Sequence, residues 1–171
     1  DGDTNDVTLT TSAGNIAITL LNAGALGDAT LNASGTVTGS GLTSDVLTAD
    51  AGTGITLSTT VASADLSTSG TGDVSITETD GIVLSDVDTN DGSITVTAAG
   101  DVTATDVAST TDGDANDVSL TTSAGNIAVT LLNAGALGDA TLNASGTVTG
   151  SGLTADALTA DASTEIMLGT T

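Results

Sequence analysis

Residues 72–107 read GDVSITETDGIVLSDVDTNDGSITVTAAGDVTATDV. Within them DVSIT (73–77), GIVLS (81–85), SITVT (93–97) and DVTAT (101–105) each set apolar residues at alternate positions behind a Gly, Asp or Ser. Alternation of this kind, rich in β-branched residues, marks a strand with one buried face. The unit recurs towards the start of the chain as DVTLT (6–10), NIAIT (15–19), DATLN (28–32), TVTG (36–39), DVLT (45–48) and GITLS (54–58). No segment carries the i, i+3, i+4, i+7 pattern of a helix. The nearest approach, LLNAGALGDA (20–29), is interrupted by two glycines and predicts a loop.

Spacing turns these strands into an architecture. The first apolar residues of every second segment are Val7, Ala29, Val46, Leu66, Ile82, Val102 and Val118, at intervals of 22, 17, 20, 16, 20 and 16. The alternate series Ile16, Val37, Ile55, Val74, Ile94 advances by 21, 18, 19 and 20. Both series predict an all-β chain wound as a parallel β-helix (β-solenoid) of about 18–19 residues per coil, each coil stacking its short strands on those of the next. Val7, Leu9, Ile16, Ile18, Leu31, Val37, Ile55, Leu57, Val74, Ile76, Ile82, Leu84, Ile94 and Val96 are then expected to point inward. Gly and Asn, with Asn15, Asn126, Asn22 and Asn133 among them, are expected to supply positive φ at corners. The rival is an array of immunoglobulin-like sandwiches, one per long repeat. The fine period and the absence of Trp, Tyr and Pro weigh against it.

A second period contains the first. Residues 1–60 and 112–171 align at a constant offset of 111, with 51 of 60 pairs identical and no insertion. Most changes are small, as in Thr8 to Ser119, Ile18 to Val129 and Ser44 to Ala155. The spacing predicts six coils to each 111-residue repeat, advancing ~29 Å at the usual ~4.8 Å between strands. Residues 1–111 are thus read as one full repeat and 112–171 as the start of the next, in one continuous solenoid cut from a longer chain.

Composition narrows the function. The chain has no Lys, Arg, His, Cys, Pro, Phe, Tyr, Trp or Gln, and its 22 acids give a formal charge of −22. All but Glu78 and Glu165 are Asp, a turn residue, so the acids read as punctuation between strands. With 38% hydrophobic residues and a mean hydropathy of +0.29, the chain is too aliphatic for a disordered acidic tail. A narrow stacked core suits a sequence with no aromatic side chain to fill a wide one. Without Lys or Arg, nucleic acid and anionic membrane surfaces are excluded as partners. No run of 18 apolar residues is present, so no membrane insertion is expected. Cations, water and neutral or basic molecules remain as partners.

The 72–107 stretch resembles the repeats of filamentous-haemagglutinin-type adhesins and related giant bacterial surface exoproteins. Those repeats combine G-[DNS]-[VI]-x-[VIL] strands with a coil of similar length. The resemblance covers the whole chain and implies a right-handed parallel β-helix at the cell surface or outside the cell. It implies a structural role, as a fibre or adhesin stalk.

Three clusters carry the candidate chemistry: Asp1, Asp3, Asn5 and Asp6; Asp86, Asp88, Asn90 and Asp91; Asp112, Asp114, Asn116 and Asp117. Oxygen ligands at alternate positions around a polar turn suit Ca²⁺. The competing reading is a solvated turn in which Asp and Asn cap the backbone. Divalent cations are therefore expected partners, and a calcium-dependent adhesive module is the alternative function. Self-association, end to end or by lateral fibre contacts, is expected of a coil stack with open edges. Catalysis is not expected, because no His, Lys or Cys can act as base or nucleophile. Asp86, Asp88 and Asp91 are the sole candidates for a polysaccharide-acting enzyme. Outward T-x-T pairs (Thr8 and Thr10, Thr36 and Thr38, Thr95 and Thr97, Thr103 and Thr105) raise ice binding. They do not recur in every segment, so the sequence predicts no continuous rank.

Overall fold

Nineteen strands and no helix form the described part, residues 5–169, of the computed structural model. Every pairing between them is parallel. The strands stack coil upon coil as a β-solenoid, as the alternation predicts.

Two ladders run the length of the stack on opposite sides. Ladder two joins Ile16, Val37, Ile55, Val74, Ile94, Val118, Ala140 and Leu158. Its seven steps define eight levels, and from Ile16 to Leu158 the mean step is close to 20. Ladder one joins Val7, Ala29, Leu47, Ala64, Leu84, Ala104, Val129, Gly150 and Leu168. Single steps range from 17, Leu47 to Ala64, to 25, Ala104 to Val129.

The coil is therefore somewhat longer than the sequence spacing predicts. Loops such as 110–117 lengthen a coil without adding a strand. The repeat also holds five and a half coils, not six. Val7–Thr11 lies on ladder one at the first level, whereas its near-identical copy Val118–Thr122 lies on ladder two at the sixth. Each long repeat thus ends half a coil round, and the same sequence faces the opposite way. The change of side follows from shape. On ladder two the lower coils are bent, Ile16–Ile18 with Leu21–Asn22 stacking on 37–43, and the upper ones are straight strands such as Val74–Glu78 and Ile94–Ala98. On ladder one the order is reversed. The straight Ala29–Ala33 lies low, and a register shift between Ala64 and Asp65 bends the strand above, Ile82–Asp91.

Alternate residues fill the lumen. Ile55, Leu57, Val74, Ile76, Ile82, Leu84, Ile94 and Val96 are all buried, as expected. Val7 and Leu9 depart from expectation, being half-buried and 38% exposed. Among the described residues no strand pairs below Val7–Thr11, while Leu120, the copy of Leu9, is 0% exposed because Val96 stacks beneath it. The upper end mirrors this, with Leu158 42% exposed against 0% for its copy Leu47.

Corners depend on backbone proximity. A Cβ on Gly72 would run into the carbonyl oxygen of Thr53, and one on Gly92 into that of Gly72. Among the described residues every positive φ belongs to glycine, such as +86° at both Gly24 and Gly135. The expected Asn contribution to positive φ is therefore corrected: the asparagines serve as acceptors. Asn15 Oδ1 accepts the N–H of Thr36 one coil up (2.9 Å), and Asn126 Oδ1 that of Thr147 (2.8 Å). Asn22 and Asn133 accept the N–H of Gly24 and Gly135, closing Asx turns.

Candidate functional site

Aspartate just ahead of a strand does the same work as Asn15. Asp73 Oδ1 accepts the Ser93 N–H at 2.8 Å, Asp117 Oδ1 the Asp139 N–H at 2.9 Å, and Asp139 Oδ1 the Ala157 N–H at 3.2 Å. Asp6, Asp28 and Asp101 accept from Asp28, Val46 and Asn126. A corner turns the backbone acceptor away from the coil above, and the carboxylate replaces it. Much of the acidity of this chain is thus a set of staples between successive coils.

The three sequence clusters land as follows. Asp1 and Asp3 lie outside the described residues. Asn5 and Asp6 are exposed, with Asp6 engaged as above. Asp112 Oδ1 accepts the Leu137 N–H at 2.8 Å, and Asp114 is exposed. Asn116 is buried, donating through Nδ2 to the Thr111 carbonyl (2.7 Å) and to Asp91 Oδ1 (3.1 Å). Two clusters therefore meet across one coil step, through Asp91 and Asn116. Asn90 sits exposed at its corner, its carbonyl accepting from Thr110 Oγ1 and the Thr111 N–H. Among the described residues, no group of three or more acids is placed to hold a metal ion.

Asp86 and Asp88 instead belong to an acidic patch on ladder one that no contiguous motif reveals. Asp65 pairs with Asp86, and Ser67 with Asp88. Ser67 Oγ donates to Asp50 Oδ1 at 2.5 Å. Partial burial raises the Asp65 carboxyl above the ordinary carboxylate range, and Asp86 and Asp50 add repulsion. Burial likewise raises Asp88, followed by Asp86, Asp106 and Asp65. The signal that locates this patch is the coil offset, which becomes readable only once register is known.

Sequence reasoning alone misses Glu78. It occupies the inward parity of its strand, after Val74 and Ile76, and is 3% exposed. Other coils place Ala98, Thr122 or Ala144 in line with it. Its Oε2 accepts from Thr59 Oγ1 (2.7 Å) and the Val61 N–H (3.2 Å), and its Oε1 from the N–H groups of Thr79 (2.8 Å) and Asp80 (3.3 Å). Burial raises its pKa, while the Thr59 hydrogen bond opposes the rise. Glu78 closes the bent arm of ladder two where the straight strands take over. The signal is nonetheless present in the sequence: an acid at an inward position of an alternating strand.

Ladder two also corrects the reading of the hydroxyl pairs. Thr38, Thr56, Ser75, Thr95, Ser119, Thr141 and Thr159 stack in register over seven coils, since Ser replaces Thr in alternate coils of the rank's middle. Beside them run Ser58, Thr77, Thr97 and Thr121.

The class that this geometry defines is the parallel β-solenoid built on a long tandem repeat. No family model matches the chain, and neither does any curated protein or solved structure.

Proposed function

We propose that the chain is a structural rod, a stretch of a secreted or surface-displayed β-solenoid serving as a fibre or adhesin stalk of the filamentous-haemagglutinin type. The observation that carries this reading is the unbroken pair of parallel ladders, which near-identical sequence joins a second time one long repeat later. Each coil presents strand edges to the next, so length grows by repetition without a new fold. At ~4.8 Å per coil, five and a half coils extend the rod ~26 Å per repeat. The corner staples add side-chain acceptors to the backbone ladder, which suits a part that bears load. The absence of Lys and Arg leaves trypsin-like proteases no cleavage site.

Self-association, end to end or by lateral fibre contacts, belongs to this proposal, because a coil stack offers unpaired strand edges wherever it ends. Divalent cations enter as loosely held counterions of the acidic side chains, Asp65, Asp86 and Asp88 among them. Electron microscopy of the purified chain tests the main reading. Thin rods with ~4.8 Å axial order support it, and compact beads on a flexible string refute it. A melting temperature unmoved by both calcium and chelator refutes the cation role.

A further inference from the structure

From Ile55 to Ala162, ladder two pairs six strands with no register shift. Its outward positions are Thr56 and Ser58, Ser75 and Thr77, Thr95 and Thr97, Ser119 and Thr121, then Thr141 and Asn143, then Thr159 and Asp161. Strand geometry sets the two ranks ~6.6 Å apart along each strand and the rows ~4.8 Å apart along the axis. Within the described residues, none of the hydroxyls from Thr56 to Thr121 in these two ranks has a hydrogen-bond partner in the protein. The buried threonines, by contrast, are engaged: Thr89, Thr122 and Thr68 donate to the carbonyls of Gly92, Gly125 and Gly72, and Thr59 to Glu78.

Charge is segregated. At the same levels, ladder one carries Asp50, Asp65, Asp86 and Asp88, while the ladder-two face has no acid at an outward position until Asp161. Asp73, Asp117 and Asp139 sit one residue ahead of its strands, each with Oδ1 accepting a backbone N–H. A chain of charge −22 thus keeps one side on which the outward positions of four successive strands, Thr56 to Thr121, carry hydroxyls alone.

We propose that this face binds ice. Its occupant must be uncharged, must exchange hydrogen bonds with free hydroxyls, and must repeat at the spacing of the ranks. The water lattice of ice is uncharged, both donates and accepts hydrogen bonds, and repeats on the same few-ångström scale as the two hydroxyl ranks. The hydroxyls hold a first layer of water at lattice positions, and the threonine methyls between them restrict its motion. A second copy of the chain fits less well. The four hydroxyl rows cover ~19 Å by ~13 Å, or ~250 Å², about a third of what each partner buries in a stable dimer, and pairing brings two strongly anionic chains together. The inference is independent of the rod's length and of its place on a cell.

Ice recrystallisation inhibition and thermal hysteresis test it, using the intact chain, Thr95→Tyr/Thr97→Tyr at the centre of the face, and Thr103→Tyr on ladder one. The expected result is inhibition by the intact chain, loss in the double variant and retention in Thr103→Tyr, with all three giving the same circular dichroism spectrum and melting curve. If the tyrosines disturb folding, Thr95→Asp/Thr97→Asp replaces them and must lose activity. An inactive parent chain overturns the proposal, as does a folded face variant that retains activity. So does a parent that, without acting on ice, binds crystalline cellulose or forms a dimer sensitive to the same pair.

Discussion

Replacing Glu78 puts the internal logic of the stack to its hardest test. The carboxylate satisfies the Thr59 hydroxyl and three backbone N–H groups inside a corner that is 3% exposed. In Glu78→Ala, the Val61 N–H and the Thr59 hydroxyl lose their acceptor in the interior, at about 1–3 kcal/mol for each unsatisfied group. The Thr79 and Asp80 N–H groups lie nearer solvent and recover through water. A loss of roughly 2–6 kcal/mol follows from the two groups, large against the stability of an ordinary domain. Glu78→Gln keeps one acceptor oxygen and removes the charge, so its cost at neutral pH is smaller. The sign of the pH dependence is distinctive. Burial makes the folded protein bind the Glu78 proton more tightly than the unfolded chain does. The stability linked to that proton is fully present below the unfolded pKa and is lost as pH rises through the folded one. The parent should therefore gain stability on mild acidification, and Glu78→Gln should lack that share of the gain. Urea unfolding followed by circular dichroism from pH 4 to 8 gives the comparison. A parent-minus-Gln difference that stays flat with pH refutes the assignment, and so does a Glu78→Ala chain as stable as the parent.

Further outcomes follow from other parts of the stack. Asp117→Ala removes the acceptor for the Asp139 N–H and should cost about 1 kcal/mol, whereas Asp114→Ala on an exposed corner should leave the melting temperature unchanged. Gly92→Ala drives a Cβ into the Gly72 carbonyl and should destabilise by about 1–3 kcal/mol in chemical unfolding. Ser44→Ala should be neutral or stabilising, because the Ser44 hydroxyl is buried without a partner among the described residues and the second repeat already carries Ala155 there. Asp88→Asn should raise the melting temperature at neutral pH, since it removes a partly buried charge repelled by Asp86, Asp106 and Asp65; high salt should shrink the gain.

Much of this was legible in the sequence because it depends on neighbours two residues apart. Alternation in VSITE and ITVTA assigns Ile76 and Val96 to the lumen whatever lies above or below them. The candidate site was less legible. Asp86 and Asp91 stand close in sequence, yet one joins Asp65 and the other Asn116, because side chains meet across coils at offsets near 20. The hydroxyl ranks were hidden for the same reason: Thr56 and Ser75 look unrelated until register sets one above the other.

The sequence by itself determined an all-β chain of short one-faced strands, wound in coils and duplicated at a fixed offset, since alternation and duplication are local properties. Only the tertiary structure decided that the repeat closes on a half coil. The length of a coil is the sum of its strands, its loops and the register shift near Asp65, and none of these is set by any one motif. Val7–Thr11 and Val118–Thr122 therefore share a sequence and lie on opposite sides, because what faces a strand depends on how many residues the chain spends returning to it.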